Sequence, residues 1–597
     1  MPNVPHWVFV PEALSKIDLL GTRSSNMYFF RGLCCLILSR AAYAVVLPRN
    51  VSSSAPVVNL KNGSYYGVHS SEYDQDFFFG VPFAQPPVGD LRLRQPQSLN
   101  TTWTDVRNAT EIQPECYGYG PDQWRWGNRV SEDCLAANII RPAGISADAA
   151  LPVGLFLVPG GYYEGGNLDP RYNFSFIVQQ AQEMGTPFIA VMPNYRLSLW
   201  GFLYGQEVVD AGITNLGMLD QRLAMHWVQE NIAAFGGDPD KVTIWGESAG
   251  AGSVSAHLVA YGGRDDKLFR SAIAESSAVS RRPRYPSIEE WQPVYNKIVD
   301  AAGCTNATDT LACLRTVPAD TLNSVFNTSD WGSSPNFGPQ IDGDFLQASQ
   351  TTHLRRGEFV RVPYLTGANH DEGTSWATHN LNTTEDFLNQ VTTDSPGIDN
   401  ETLNTIAVLY PDIPEIGIPG TLKGRPSADS GYGLQWKRAA AYAGDLAIHA
   451  ARRLAAQSWA EYNTTVYSYH WNVFVNGQPV EKGAGHWKEI AFVFDDITGL
   501  GYNSSDVTIS ADPFEGEPES FLQLATIMSR MWVSFIVNGD PNQAGVTDVE
   551  WPKYSLDDPL NLVFDVNRTE IVYTEPDVYR ANGIAYISDR LETVFGS

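Results

Sequence analysis

Basic residues are scarce in this 597-residue chain. Lys and Arg number 40 against 67 Asp and Glu, so the formal net charge is −27 at pH 7. Such a charge repels nucleic acid and anionic membrane surfaces, and we expect neither as a partner. The sequence also lacks an unbroken apolar run of about 18 residues, the length that a membrane-spanning helix needs, and therefore predicts no transmembrane segment.

Internal repeats and low-complexity linkers are missing from the interior of the chain. A single large α/β enzyme can reach this length, so one catalytic domain with long excursions is favoured over several modules. The hydrophobic share of 43% and the aromatic share of 12% are ample for a packed core. We predict an N-terminal extension over residues 1–44 and one catalytic domain over residues 45–597.

The N-terminal extension contains the features of a secretory signal, although residues 1–26 lack a hydrophobic run. A short basic start over residues 27–31 precedes an apolar stretch over residues 33–38. Ala42-Tyr43-Ala44 then has the form of a signal-peptidase site. We predict a signal over residues 27–44 and a secreted protein, with Met27 as an alternative start. The competing interpretation is a disordered N-terminal tail.

Cysteines are few, and their number fits secretion. Cys34 and Cys35 would leave with the signal, and an even number remains in the mature chain. An oxidising compartment favours disulfides between these four, whereas the alternative is four buried free thiols. Twelve N-x-S/T sequons also indicate a glycosylated surface. The four cysteines are Cys116, Cys134, Cys304 and Cys313, and the sequons start at Asn50, Asn62, Asn100, Asn108, Asn173, Asn306, Asn327, Asn382, Asn400, Asn463, Asn503 and Asn567.

Apolar segments alternate with helical patterns from about Leu151 onward. A helix is predicted over residues 216–235, where apolar residues recur at helical spacing. Continuous apolar strands between helices are typical of a parallel, doubly wound sheet. An apolar late helix over residues 521–537 should pack on this sheet. The predicted strands cover residues 151–158, 188–192, 242–245, 271–274, 364–366 and 466–471.

Residues 246–250 carry the sequence Gly-Glu-Ser-Ala-Gly between an apolar strand and a small-residue helix. This placement is typical of a nucleophile elbow, in which a tight turn lifts the serine hydroxyl above the sheet edge. Ser248 is therefore the candidate nucleophile. On its own the motif is weak, since a serine in an ordinary glycine-rich turn gives the same pattern.

A hydrolytic serine needs a general base and an acid that orients the base. His486 is the candidate base because it lies in a glycine-rich loop after a predicted strand. Glu372 is the candidate acid because it also lies in a loop just past a strand, and the order Ser, acid, His suits the elbow. Other candidate bases after Ser248 are His257, His353, His370, His449 and His470. Of these, His257 and His449 fall in helical patterns.

The segment Val-Pro-Gly-Gly-Tyr at residues 158–162 follows the first predicted strand. No side chain shields the amides of Gly160 and Gly161, so they can approach a substrate oxyanion, with the Ala249 amide as a third donor. An ordinary glycine-rich turn is the alternative.

Several further segments make the chain similar to type-B carboxylesterases and lipases, the family of cholinesterases, mammalian carboxylesterases and secreted fungal lipases. The resemblance extends over roughly residues 58–575. It implies an α/β-hydrolase fold, in which helices and long excursions flank a large, mostly parallel central sheet. It also implies ester hydrolysis through an acyl-enzyme, without cofactor or metal. The matching segments are residues 80–89, 131–135, 194–196, 215–221, 235–239 and 551–554.

The resemblance assigns roles at matching positions only. Ser248, Glu372 and His486 would form the triad, and Gly160, Gly161 and Ala249 the oxyanion hole. It pairs Cys116 with Cys134, and Cys304 with Cys313 as in fungal lipases. Structural rather than catalytic roles fall to Arg196 with Asp220, Arg92 with Glu132, and Ser276 behind the triad.

Departures from the family pattern concern the substrate side of the site. Pro159 stands in the glycine segment where the family usually has glycine. Trp124 and Trp126 lie in a short polar-aromatic loop where fungal lipases carry a long lid. Trp487 follows the base, where many members have a small residue. We predict substrate contacts from Trp124, Trp126, Tyr162 and Trp487, with packing roles as the alternative.

The sequence as a whole predicts a secreted carboxylic-ester hydrolase for small-molecule esters, soluble or of short to medium chain length. It is expected to be a monomer or homodimer. Three alternatives stay open: a lipase or sterol esterase for long-chain esters, a tailoring enzyme for a secondary metabolite, and a non-catalytic cholinesterase-like binding protein.

Overall fold

A mixed sheet of eleven strands is the central element of the computed structural model. The structure describes residues 55–121, 123, 127–277, 287–328, 337–502 and 511–596. In chain order the strands are β1 (Val68–Ser70), β2 (Gln75–Pro82), β3 (Ala136–Pro142), β4 (Leu151–Leu157), β5 (Ile189–Pro193), β6 (Gly237–Glu247), β7 (Ser271–Glu275), β8 (Tyr364–Asn369), β9 (Val466–Trp471), β10 (Leu560–Phe564) and β11 (Val572–Pro576).

The middle of the sheet is parallel and its two edges are antiparallel. The spatial order is β11-β10-β9-β8-β7-β6-β4-β5-β3-β2-β1. From β10 to β5 all neighbours run parallel, with Thr243 of β6 beside Gly154 of β4 and Ser271 of β7. The outer pairs run antiparallel. The predicted fold class, an α/β-hydrolase with a large, mostly parallel sheet, is confirmed.

The predicted strands all belong to the parallel part of this sheet. Their residues are buried on both faces, and Leu155, Phe156 and Leu157 of β4 have no exposed surface. Burial on both faces explains the unbroken apolar runs. β6 begins at Gly237, five residues before its predicted start, directly after Gly236 ends the preceding helical segment with a φ of 87°.

Helices cover both the sheet and the excursions. The predicted helix over residues 216–235 forms as Leu216–Asn231 followed by a 3-10 turn, Ile232–Phe235. The remaining α-helices are Phe174–Glu183, Ser198–Phe202, Gln206–Asp210, Ala249–Gly263, Ile288–Ala301, Thr310–Thr316, Ala319–Phe326, Gln350–Arg356, Thr384–Asp394, Asn400–Leu409, Trp436–Gly444, Ala450–Glu461, Ile490–Phe494, Glu519–Asn538 and Ala581–Ser588.

The late helix Glu519–Asn538 packs on the sheet, as predicted. It lies against β4 and β6, and its Trp532, Phe535 and Ile536 are fully buried. By length and composition alone it is the one helix among the described residues that could cross a membrane. Because 61% of its most apolar stretch is buried inside the protein, its apolarity is explained by core packing.

Two smaller sheets and two disulfides flank the central sheet. One sheet comprises Val57–Asn59, Ser64–Tyr66 and Val106–Asn108, and the other comprises Glu115–Cys116 and Val130–Ser131. Cys116 is bonded to Cys134, and Cys304 to Cys313. These are the pairings that the family resemblance implied.

Residues Ser54–Ser597 form one compact unit by their internal contacts. The predicted signal over residues 27–44, the boundary after Ala44, Cys34, Cys35 and the sequons at Asn50 and Asn503 lie outside the described residues. The extension and the domain limits therefore stay predictions.

Candidate active site

Ser248 occupies a sharp turn between β6 and the helix Ala249–Gly263. Its φ of 52° and ψ of −119° are unusual for a residue with a side chain, and its amide donates to Glu275 O at 2.9 Å. The flanking glycines are needed for close approach. A Cβ on Gly246 would lie 2.5 Å from the Gly250 carbonyl carbon, and a Cβ on Gly250 would lie 2.0 Å from Leu157 O. This is the strained strand-to-helix turn that the sequence predicts.

Three predicted residues meet at this turn. His486 Nε2 lies 2.8 Å from Ser248 Oγ, and His486 Nδ1 lies 2.7 Å from Glu372 Oε2. Glu372 has no exposed surface, and its second oxygen accepts the Asn369 amide at 2.8 Å. The carboxylate therefore holds the imidazole with Nε2 directed at the hydroxyl, the arrangement that general-base activation of a serine requires.

The other candidate histidines lie in different environments. His257 is buried against Gln221, with His257 Nε2 3.0 Å from Gln221 Oε1. His353 pairs with Glu358, and His370 and His470 hydrogen-bond to each other at 3.1 Å. Burial lowers the pKa of His449 well below its ordinary value. Among the histidines after Ser248 that the structure describes, only His486 hydrogen-bonds to this serine.

The three candidate oxyanion donors are the backbone amides of Gly160, Gly161 and Ala249. Gly160 and Gly161 follow β4 with φ values of 109° and 64°, and a Cβ on Gly160 would lie 2.2 Å from Glu164 O. Ala249 begins the helix after Ser248. Within the described part of the chain, none of these three amides donates to a protein acceptor. They are therefore available to a bound oxyanion.

The four predicted substrate contacts divide into two groups. Trp124 and Trp126 lie outside the described residues. Tyr162 is 4% exposed and packs edge-on against Phe202 at 5.2 Å. Trp487 donates from Nε1 to Tyr172 Oη at 2.8 Å, with the Arg171 guanidinium 4.3 Å above its ring. These contacts fix Tyr162 and Trp487 in place, and substrate contact by any of the four stays a prediction.

Three further buried glutamates surround the triad. Glu489 accepts from Ser276 Oγ at 3.1 Å and from the Asn369 side-chain amide. Burial, with the Glu372 charge adding to it, raises the pKa of Glu489 to about 7. Burial also raises the pKa values of Glu247 and Glu275 well above the ordinary range. Burial of Glu247 and Glu275 therefore disfavours a negative charge on either carboxyl group.

Sequence reasoning missed Asn369 and Glu489 as site residues. Asn369 ends β8 and donates from Nδ2 to Gly485 O at 2.9 Å, which joins the two loops. Its position three residues before the acid, at a strand end, was the available signal. Glu489 lies three residues after the base, but nothing in the sequence indicates its contact with Ser276.

Among the described residues, no group of three or more His, Cys, Asp or Glu side chains is arranged to hold a metal ion. The site places the Ser248 hydroxyl within hydrogen-bond distance of an imidazole, and that imidazole within hydrogen-bond distance of a buried carboxylate. Such an arrangement supports attack on a carbonyl carbon.

Comparisons with known proteins point in the same direction. The model of the Carboxylesterase family matches residues 54–578. "Lipase 2" of Geotrichum candidum is 31% identical over 91% of this chain and 97% of its own length. "Secreted lipase 1" of Botryotinia fuckeliana is 33% identical over 85% of this chain and 89% of its own. The crystal structure of Aspergillus niger EstA superimposes with a TM-score of 0.76 at 30% identity, covering 90% of this chain and 99% of that one.

Proposed function

The chain belongs to the carboxylesterase family and is a carboxylic-ester hydrolase, and from this premise we propose that it is a secreted enzyme with a Ser248–His486–Glu372 triad. Two distances carry the proposal: 2.8 Å from His486 Nε2 to Ser248 Oγ, and 2.7 Å from His486 Nδ1 to Glu372 Oε2. Secretion is supported by two disulfides and by relatives whose names include the word "secreted".

In the proposed reaction, His486 Nε2 takes the Ser248 proton while Oγ attacks the ester carbonyl carbon. The amides of Gly160, Gly161 and Ala249 hold the oxyanion of the tetrahedral intermediate. The intermediate collapses, the carbon–oxygen bond to the alcohol breaks, and His486 gives its proton to the alcohol. A water molecule then loses a proton to His486 and attacks the acyl carbon. The bond from that carbon to Ser248 Oγ breaks, Oγ takes the proton back from His486, and the carboxylic acid leaves.

We propose short- to medium-chain or soluble esters as substrates, since the loop closed by Cys116 and Cys134 is short and fastened. Tyr119 donates from its amide to Tyr163 O at 3.0 Å, and its hydroxyl accepts from Trp200 Nε1 at 2.8 Å. Gln123 Nε2 donates to Cys116 O at 3.0 Å. Such anchoring disfavours a lid that opens at a lipid surface.

Hydrolysis of long-chain esters is the second candidate. It is favoured by the relatives, since those described above from Geotrichum candidum and Botryotinia fuckeliana carry the name lipase. For such an enzyme, an excursion other than the loop between Cys116 and Cys134 would have to cover the acyl chain.

A series of p-nitrophenyl esters from acetate to palmitate, assayed on the wild type and on Ser248→Ala, tests both proposals. We expect kcat/KM to peak at short chains and to fall by about 10⁴-fold or more in Ser248→Ala. A maximum of kcat/KM at palmitate would instead establish the second candidate, hydrolysis of long-chain esters. Full activity in Ser248→Ala would overturn the triad, and reaction of a phosphonate at a residue other than Ser248 would do the same.

A further inference from the structure

The residues Glu372 and His486 lie on two loops that are far apart in sequence. We call residues 370–374, directly after β8, the acid loop, and residues 482–486 the base loop. The hydrogen bond between Glu372 and His486 forms only if the two loops keep a fixed register, because reacting groups tolerate little misplacement.

Asp371 joins these loops at Ala484, two residues before His486. Its backbone amide donates to Ala484 O at 2.9 Å, and its Oδ2 accepts the Ala484 amide at 2.8 Å. One residue of the acid loop thus bonds to both backbone groups of one residue of the base loop. Asp371 is 2% exposed, so water does not compete for this contact.

The base loop is also shaped around the Asp371 carboxylate. Gly483 has a φ of 56°, and a Cβ at this position would lie 2.1 Å from Asp371 Oδ2. Glycine is therefore required at residue 483 for two reasons, its backbone conformation and the closeness of the carboxylate.

An ion pair with Arg580 or Lys437 does not explain the burial of the Asp371 carboxylate. Arg580 pairs with Asp445, and Lys437 Nζ donates to Leu422 O at 2.9 Å. The nearest ring nitrogen is His370 Nε2, 3.9 Å from Asp371 Oδ1. Within the described residues, Asp371 Oδ1 has no hydrogen-bond partner. The role of this side chain is therefore its hydrogen bond with the Ala484 amide.

We propose that Asp371 is a positioning residue that sets the register of the acid and base loops, and thereby the placement of His486 between Glu372 and Ser248. The inference rests on the proposed triad. It assigns to Asp371 an effect on the rate of the chemical step and not on substrate binding.

The test compares Asp371→Ala, Asp371→Asn and the wild type on a p-nitrophenyl ester. We expect Asp371→Ala to lower kcat about 10- to 100-fold with KM within about twofold, since a small displacement of the base slows chemistry. Asparagine keeps an oxygen that accepts the Ala484 amide, so Asp371→Asn should stay within about threefold of the wild type. The rate of phosphonate labelling at Ser248 should follow kcat.

Asp496→Ala is the matched control for loss of a buried carboxyl. Asp496 also accepts a backbone amide, from Leu500 at 3.0 Å, and burial raises its pKa to about 7, as it does for Asp371. We expect Asp496→Ala to lower the melting temperature with kcat unchanged. Gly483→Ala perturbs the same contact from the base loop and should lower kcat as Asp371→Ala does.

Two results would overturn the proposal. One is an Asp371→Ala enzyme with wild-type kcat, and the other is an Asp371→Asn enzyme as slow as Asp371→Ala. If the wild type hydrolyses no ester, the proposed function fails separately, and the phosphonate labelling rates of the variants still decide the role of Asp371. If Asp371→Ala does not fold, the kcat values of Asp371→Asn and Gly483→Ala are compared with that of the wild type instead.

Discussion

In the proposed triad, Glu372 is expected to determine which ring nitrogen of His486 carries the proton. A carboxylate 2.7 Å from Nδ1 accepts an N–H there, so Nε2 is left to accept the Ser248 hydroxyl. In Glu372→Gln, the side-chain amide can donate to Nδ1 and stabilise the opposite tautomer. We expect kcat to fall about 10²- to 10⁴-fold with little change in KM, measured on a p-nitrophenyl ester.

Glu358→Gln is the control for this change. Glu358 Oε2 lies 2.9 Å from His353 Nδ1, so the same kind of histidine–carboxylate pair is altered away from Ser248. Its kcat should equal that of the wild type. Equal losses in the two variants, or a Glu372→Gln enzyme within threefold of the wild type, would contradict the orienting role.

At the residue scale, the sequence identified site residues best where a reactive side chain stands in a loop directly after a predicted strand. Ser248, Glu372 and His486 each lie in a small-residue loop after an apolar strand, and the structure brings the three together. Asp371 could not be assigned in this way, because its proposed role depends on a contact with a residue more than a hundred positions away.

At the element scale, the turn that presents Ser248 depends on how closely the following helix crosses β4. Alanine in a helix is ordinarily about 1 kcal/mol more favourable than glycine. At Gly250, however, the added Cβ would lie 2.0 Å from Leu157 O, and backbone must move. We expect Gly250→Ala to lower the free energy of unfolding by about 1–3 kcal/mol, measured by urea denaturation, and to remove most esterase activity.

Gly420→Ala is the matched substitution for this test. No atom lies within 4 Å of a Cβ placed at Gly420, and its φ is outside the left-handed region. Its stability should stay within about 0.5 kcal/mol of the wild type. A Gly250→Ala enzyme with wild-type stability and activity would show that the helix and β4 can separate without harm to the turn.

The edge strands β1 and β11 were among the elements that the sequence did not reveal. β1 is three residues long and mostly exposed, and β11 is buried only at Val572, its first residue. Antiparallel edge strands of this kind lack the continuous apolar run that identified β4 and β9. Their pairing is set by neighbouring strands, which local sequence does not encode.

At the scale of the whole molecule, burial of acidic groups couples stability to pH. Burial raises the pKa values of Glu115, Asp371, Glu489 and Asp496 to about 7, against ordinary values of 4.5 for Glu and 3.8 for Asp. The folded protein therefore retains protons that the unfolded chain has lost. Stability must fall as pH rises through this range, by about 1.4 kcal/mol per pH unit for each such proton.

Buried histidines act in the opposite direction, but at lower pH. Burial lowers the pKa values of His257, His370 and His449 below the ordinary 6.5. These groups cost stability as pH falls through the range around 6.5, where the unfolded chain binds protons that the folded protein does not. They therefore oppose the carboxyl groups in the lower part of the window between pH 6.5 and 8.5, and the carboxyl groups dominate the slope in its upper part.

We therefore expect the free energy of unfolding, measured by urea denaturation, to decrease by a few kcal/mol between pH 6.5 and 8.5. Asp496→Asn should reduce this decrease by the contribution of one proton, because asparagine does not titrate. A flat or rising profile across the window would mean that the buried carboxyl groups are ionised at pH 6.5. In that case buried cations or amide donors must compensate their charge more fully than the contacts of Asp371 and Asp496 indicate.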